Sequence, residues 1–265
     1  MTHSFDEAIA LTPDGSGSVT ARTHPDWANM VGPYGGVTAA VALRAVLEHP
    51  EVQGRPAALT VNYLAPIADG EYTLTAVPVR TNRSNQHWTI TATQEGKTLL
   101  TGTALFAQVR ETWSDTEADF PQVPPPAEVA PRPGALPLPW LNRYEMRVID
   151  GEIPEGPEQA RADSATQQWF RHAEPRGWDF PALASACDVF FPRIFLRTGE
   201  RAPAGTVSFT AYFHAGAEEL AAQGEYLLGV AQGSRFGHGL FDQAAQIWGE
   251  SGDLLATTHQ LVYYK

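Results

Sequence analysis

One cysteine, Cys187, stands in 265 residues, so no internal disulfide can form and a thiolate-rich zinc site is excluded. Positive charge is also short. Eighteen Lys and Arg face 30 Asp and Glu, a formal net charge of −12 at pH 7. Such a chain is a poor match for a nucleic-acid backbone or an anionic membrane, and neither is expected as a partner. An anionic small molecule held by a local arginine cluster stays compatible with this balance. No apolar run approaches the roughly 20 residues of a membrane-spanning helix, and the start MTHSFDEAIA lacks a basic-then-apolar signal pattern. A cytoplasmic location is the expectation. Catalytic signatures are missing too: there is no G-x-S-x-G elbow, no H-E-x-x-H, and the eight histidines are scattered. Neither a serine hydrolase nor a metal site is indicated, and GSRFGHG reads as a hairpin turn rather than a dinucleotide loop.

What is present is enough apolar material, 43% of residues, for one large domain or two of about 130 residues. The run GPYGGVTAAVALRAVLEHP opens on glycines at Gly32, carries an apolar stripe through Gly36, Ala39, Ala40, Leu43, Val46 and Leu47, and stops at Pro50. That predicts a helix of about three to four turns. Before it come a DGSGS turn, a short strand at 19–23 and Trp27 as an apolar anchor. After it come strand-like segments at 59–64, 72–79, 87–93 and 99–109, separated by PIADGE, RTNRSN and QEGK turns. Residues 113–139 hold eight prolines from Pro121 onward and read as an extended surface linker. The first pattern then returns, with strands at 144–149, 167–172, 207–214, 226–231, 240–248 and 254–264 around one helix near 180. EGKTLLTGTALF matches SGDLLATTHQLV, a turn and a strand placed alike in each half. The expected division is 1–112, a linker at 113–139, and 140–265. No long strand and helix alternation appears, which argues against a parallel doubly wound sheet.

The second helix carries the most informative residue. Asp179 and Pro181 form a cap and first-turn proline, and Pro192 is expected to end the helix some three turns later. Asp188 then falls mid-helix, beside Ala184, Ser185 and Phe191, within a run otherwise uncharged as far as Arg193. A buried carboxylate costs several kcal/mol, so it must find partners or perform chemistry. Gln260 shares a strand face with the apolar Leu254, Ala256 and Val262, so its amide needs partners as well. Thr206 and Thr210 have the same strand parity, so either hydroxyl could face a site. Gly35 and Gly36 permit close backbone approach to a ligand, and amides at that helix N-terminus could polarise a carbonyl. Each residue also has a structural reading: a bonded core aspartate, a satisfied core glutamine, a β-forming threonine, a tight turn. Cys187, about 100° around the helix from Asp188, reads as a buried structural thiol.

A long apolar helix on a curved antiparallel sheet, present twice with a linker between, resembles the α+β double-hotdog fold. GPYGGVTAAVAL and the following LTVNYLAPI are similar to the Gly-Gly helix opening and next strand of the acyl-CoA thioesterase II family. Asp188 in ASACDVFF, Thr206 in GTVSFTAYFH and Gln260 in LATTHQLV stand where that family places its Asp, Thr and Gln triad. The resemblance covers almost the whole chain. It implies hydrolysis of an acyl-CoA thioester by an Asp188-activated water oriented by Thr206 and Gln260, with Gly35 and Gly36 at the substrate and no cofactor. If the two helices lie side by side, donors from half one and the base from half two form one composite site. The family's strand after the threonine often carries an Asp-His pair, and here that stretch is Ser208 and Phe209. This departure motivates a non-catalytic acyl-CoA or lipid-binding protein as the second reading, with a hotdog enoyl-CoA hydratase as a third. Sheet edges in a repeated chain also suggest a homodimer.

Overall fold

A computed structural model of the chain describes residues 2–15, 17–134 and 137–265. Ser16 of the expected DGSGS turn, and Ala135 and Leu136 of the proline-rich segment, lie outside these residues, as does Met1. The first half contains α1 (Ser4–Ala8), β1 (Thr12–Pro13), β2 (Val19–Arg22), α2 (Gly35–Leu47), β3 (Arg55–Tyr63), β4 (Glu71–Thr81), β5 (Asn85–Gln94) and β6 (Lys97–Ala107). The second contains β7 (Tyr144–Asp150), β8 (Thr166–His172), α3 (Phe180–Ala186), α4 (Ile194–Thr198), β9 (Ala204–Phe213), α5 (Ala217–Ala221), β10 (Leu227–Gln232), β11 (Phe236–Gly237), β12 (Leu240–Gly249) and β13 (Leu254–Tyr264).

These strands form one sheet in the order β1-β2-β4-β5-β6-β3-β9-β13-β12-β10-β8-β7, with β11 paired to β12. The run β2-β4-β5-β6-β3 is repeated as β8-β10-β12-β13-β9. The two meanders meet where β3 pairs antiparallel with β9, from Ala58 opposite Tyr212 to Asn62 opposite Ser208. The matching segments EGKTLLTGTALF and SGDLLATTHQLV become β6 and β13, which hold equivalent places. This is the double-hotdog architecture: a helix after β2 and another after β8, each lying against its own half of the sheet.

The helices α2 and α3 also pack on each other. Gly36 to Leu43 are all buried, as are Ala45 and Val46, so α2 is covered nearly all round rather than along one stripe. One side meets the sheet and another meets α3. Small residues allow that approach: a Cβ on Gly36 would stand 2.5 Å from the Ser185 carbonyl oxygen. The Tyr34 hydroxyl, just before α2, donates to that same oxygen at 2.8 Å and ties the two helices together.

Two expectations are corrected here. Asp188 is not mid-helix, because α3 stops at Ala186. The chain tightens instead: Asp188 N–H donates to Ser185 O at 3.1 Å and Val189 N–H to Ala186 O at 3.1 Å, both three residues back. The helix thus ends several residues upstream of Pro192, whose effect on the backbone falls on Phe191 just before it. The start agrees with the sequence, since the Asp179 carboxylate accepts from Ala182 N–H at 2.8 Å.

The second correction concerns strand faces. In the β9–β13 ladder Leu261 pairs with Ser208 but Val262 pairs with Thr206, so Val207 is an extra residue and the face alternation resets there. Thr206 therefore shares the inner face with Val262, while Thr210 turns outward and bonds the Thr60 hydroxyl at 3.0 Å. A second irregularity pairs Trp248 with Leu254 and Ile247 with Ala256, which takes Leu254 off the Gln260 face. Leu254 packs instead against Trp169, Leu228 and Trp248, beneath Phe120, Val123 and Val129 of the proline-rich stretch. That stretch is fastened by Trp169 Nε1 donating to Pro124 O at 2.8 Å.

Candidate active site

The tightened turn after α3 delivers Asp188 to the N-terminus of α2. Its Oδ1 accepts from Gln260 Nε2 at 2.9 Å, and the backbone amide of Gly36 donates to the same carboxylate. Gln260 is held in turn by Thr206, whose Oγ1 donates to Gln260 Oε1 at 2.8 Å. That bond orients the amide, because with Oε1 taken by the hydroxyl, Nε2 is the end presented to Asp188. The other carboxylate oxygen, Oδ2, faces Gly35, where an added Cβ would stand only 2.7 Å away. Glycine is required there for space, not for an unusual backbone angle.

Electrostatics follow from the burial. Desolvation is the main influence on Asp188 and pushes its pKa up to about 7, while the bonds from Gln260 and Gly36 pull the other way. Tyr63 and Tyr34 border the carboxylate, and both phenols are raised well above their usual range, first by burial and then by the Asp188 charge. Tyr63 donates its hydroxyl to Gly35 O at 2.8 Å and so braces the first turn of α2 from the β3 side. Tyr144 bonds the Ser185 hydroxyl at 3.0 Å, one turn before Asp188. Cys187 is fully buried, and desolvation followed by the Asp188 charge raises its thiol pKa, which disfavours a thiolate.

All five residues anticipated from sequence therefore converge: Asp188, Thr206 and Gln260 from the second half, Gly35 and Gly36 from the first. One detail differs from expectation, since the Gly36 amide is engaged by Asp188 rather than standing free. Sequence reading did not single out Tyr34 and Tyr63. Tyr34 immediately precedes the glycine pair and Tyr63 lies in the strand LTVNYLAPI, but their roles depend on which helix each reaches. The arrangement presents a carboxylate able to accept a proton near neutrality at a helix N-terminus. No group of three or more His, Cys, Asp or Glu placed to hold a metal occurs among the described residues.

A repeated hotdog with a carboxylate at the interhelical junction defines the class of molecule. Models of the acyl-CoA thioesterase N-terminal and C-terminal domains match residues 23–107 and 118–264. The chain belongs to the acyl-CoA thioesterase family. A conserved protein of unknown function with a hot dog fold from Alicyclobacillus acidocaldarius is 47% identical, with 100% of this chain and 99% of that one covered and a TM-score of 0.94. The tesB protein of Mycobacterium avium subspecies paratuberculosis (18% identity, 100% of both chains, TM-score 0.79) shares the fold. So does the acyl-CoA thioesterase II of Mycobacterium marinum (18% identity, 98% of both chains, TM-score 0.77). No curated protein matches the chain.

Proposed function

We propose that the chain hydrolyses acyl-CoA thioesters by attack of a water that Asp188 deprotonates. The observation that supports this most is the relay of Thr206 to Gln260 to Asp188, which ends on a carboxylate oriented at Gly35. Gln260 occupies Oδ1 and Gly36 helps to hold the charge, so Oδ2 is the oxygen that receives the proton. The water oxygen bonds to the thioester carbonyl carbon and its proton passes to Asp188. The carbon–sulfur bond then breaks, and the departing coenzyme A thiolate takes up that proton as the free acid forms. Negative charge growing on the carbonyl oxygen is opposed by first-turn amides of α2, with Gly35 nearest, and by the helix dipole.

Release of free thiol from a series of acyl-CoA lengths tests the reading directly. Asp188→Asn is expected to lower kcat by at least about a hundredfold, the usual contribution of a positioned general base. Its circular dichroism and acyl-CoA binding should persist. Full activity in this variant would sink the role given to Asp188, and no thiol release by the native chain from any acyl-CoA would sink hydrolysis itself.

A further inference from the structure

The inner face of the sheet beside Gln260 holds two polar side chains that the relay does not use. Gln243 on β12 lies directly opposite Gln260, and Thr258 on β13 lies opposite Ala245 in the same ladder. Gln260 reaches inward to Asp188, so its cross-strand partner Gln243 and its i−2 neighbour Thr258 share that face. Gln243 is 3% exposed and Thr258 4%. Among the described residues the Thr258 hydroxyl has no hydrogen-bond partner and the Gln243 amide bonds none.

Two internal comparisons bear on this pair: a buried amide that is fully bonded, although Gln168 Nε2 is buried without a partner among the described residues, and the repeat, which shows what the fold demands. Gln86, 1% exposed, accepts from Gln53 N–H and Trp88 Nε1 and donates to Glu51 O and the Thr81 hydroxyl. The repeat supplies the second comparison. Aligning the matching segments sets Gln260 against Ala104 and Thr258 against Gly102, whose ladder partners are Trp88 and Ile90. The first half thus fills with Ala, Gly, Trp and Ile the four positions that the second fills with Gln260, Thr258, Gln243 and Ala245. Polar groups here are a property of the half that carries the base.

We infer that the acyl group taken by this site carries a hydroxyl, held by Gln243 and Thr258. The inference rests on the thioesterase reading above and names its substrate class. A glutamine amide and a threonine hydroxyl each both donate and accept, and an alcohol does the same. A purely aliphatic chain would seal both groups away from water without partners, and sites built to bond a hydroxyl discriminate against analogues lacking it. Gln243 stands level with Gln260, and Thr258 lies two residues along the strand, about 7 Å. The oxygen therefore belongs on an early carbon or a few carbons further in.

Hexanoyl-CoA, 3-hydroxyhexanoyl-CoA and 5-hydroxyhexanoyl-CoA separate these cases. At least one hydroxy substrate should exceed hexanoyl-CoA about tenfold in kcat/KM, equivalent to about 1.4 kcal/mol. In Gln243→Leu and Thr258→Val the ratio should fall toward one, with Gln243→Met as the substitute if the leucine variant does not fold. Equal or better turnover of hexanoyl-CoA by the native chain, or an unchanged ratio in the variants, overturns the inference. Calorimetric titration of the same three thioesters into Asp188→Asn separates its failure from that of the hydrolase reading. About tenfold tighter binding of a hydroxy thioester upholds the substrate class even without catalysis, and equal affinities overturn it.

Discussion

Asp188 is tuned by opposing influences whose balance can be read in pH. Burial dominates and places its folded pKa at about 7, against about 3.9 in an unfolded chain. If the ionised form is the base, kcat/KM should rise about tenfold per pH unit below neutrality and level off above about 7. Stability should run the other way. Below about pH 4 both states hold the proton and Asp188 contributes nothing; between the two pKa values only the folded state retains it, so stability falls as pH rises; above about 7 the loss is complete. Asp188→Asn should therefore match the native chain in urea midpoint near pH 4 and exceed it at pH 8. A variant no more stable at pH 8 would show that the carboxylate is not held at a cost. Gly35→Ala tests the other side of the same contact. Its Cβ would lie 2.7 Å from Oδ2, so the carboxylate must move, and a loss of about a hundredfold in kcat with little change in thermal midpoint is expected. Of these residues, Asp188, Gln260 and Gly35 were legible because each is anomalous where it stands: a charge among apolar residues, an amide on an apolar face, a glycine opening a helix. Tyr63 carries no such anomaly, since a tyrosine in a strand is ordinary until its hydroxyl is seen at Gly35 O.

At the scale of elements, legibility followed whether local chemistry or a neighbour decides the geometry. Helix α2 could be read because its glycine opening, apolar run and terminal proline are all local signals. The end of α3 could not, because the chain closes three-residue bonds at Asp188 and Val189 before it reaches Pro192, the local stop signal. The bulge at Val207 has no signature in sequence at all, yet it alone decides that Thr206 and not Thr210 faces Gln260. Closeness of α2 and α3 is likewise a pair property. Gly36→Ala would set a methyl 2.5 Å from a backbone oxygen of the facing chain, which no side-chain rotation relieves. Overpacking of this kind typically costs 1–3 kcal/mol, so a fall of several degrees in the thermal midpoint is expected. A midpoint unchanged by Gly36→Ala would mean that the helices separate easily and that the junction is not rigid.

For the whole molecule the consequence is a division of labour between two halves of one sheet. In the proposed reading the base, its relay and the hydroxyl-binding pair come from the second half, while the first contributes the helix terminus that meets the carboxylate. Neither half has a complete site, and the β3–β9 seam that joins them would be an open edge in either one alone. The covalent connection matters less than the seam. Residues 108–117 are exposed and free of helix or strand, so a nick there leaves the sheet, the interhelical contacts and the cover over Trp248 intact. A chain cut within 108–117 should elute as a single species of unchanged size and keep thiol release within about twofold, because backbone scission at an exposed loop removes no packed contact. The separated fragments should show no release individually and regain it on mixing. Activity in the isolated second fragment would mean that α2 is dispensable, and the composite site would then have to be abandoned in favour of one built on the Asp188 half alone.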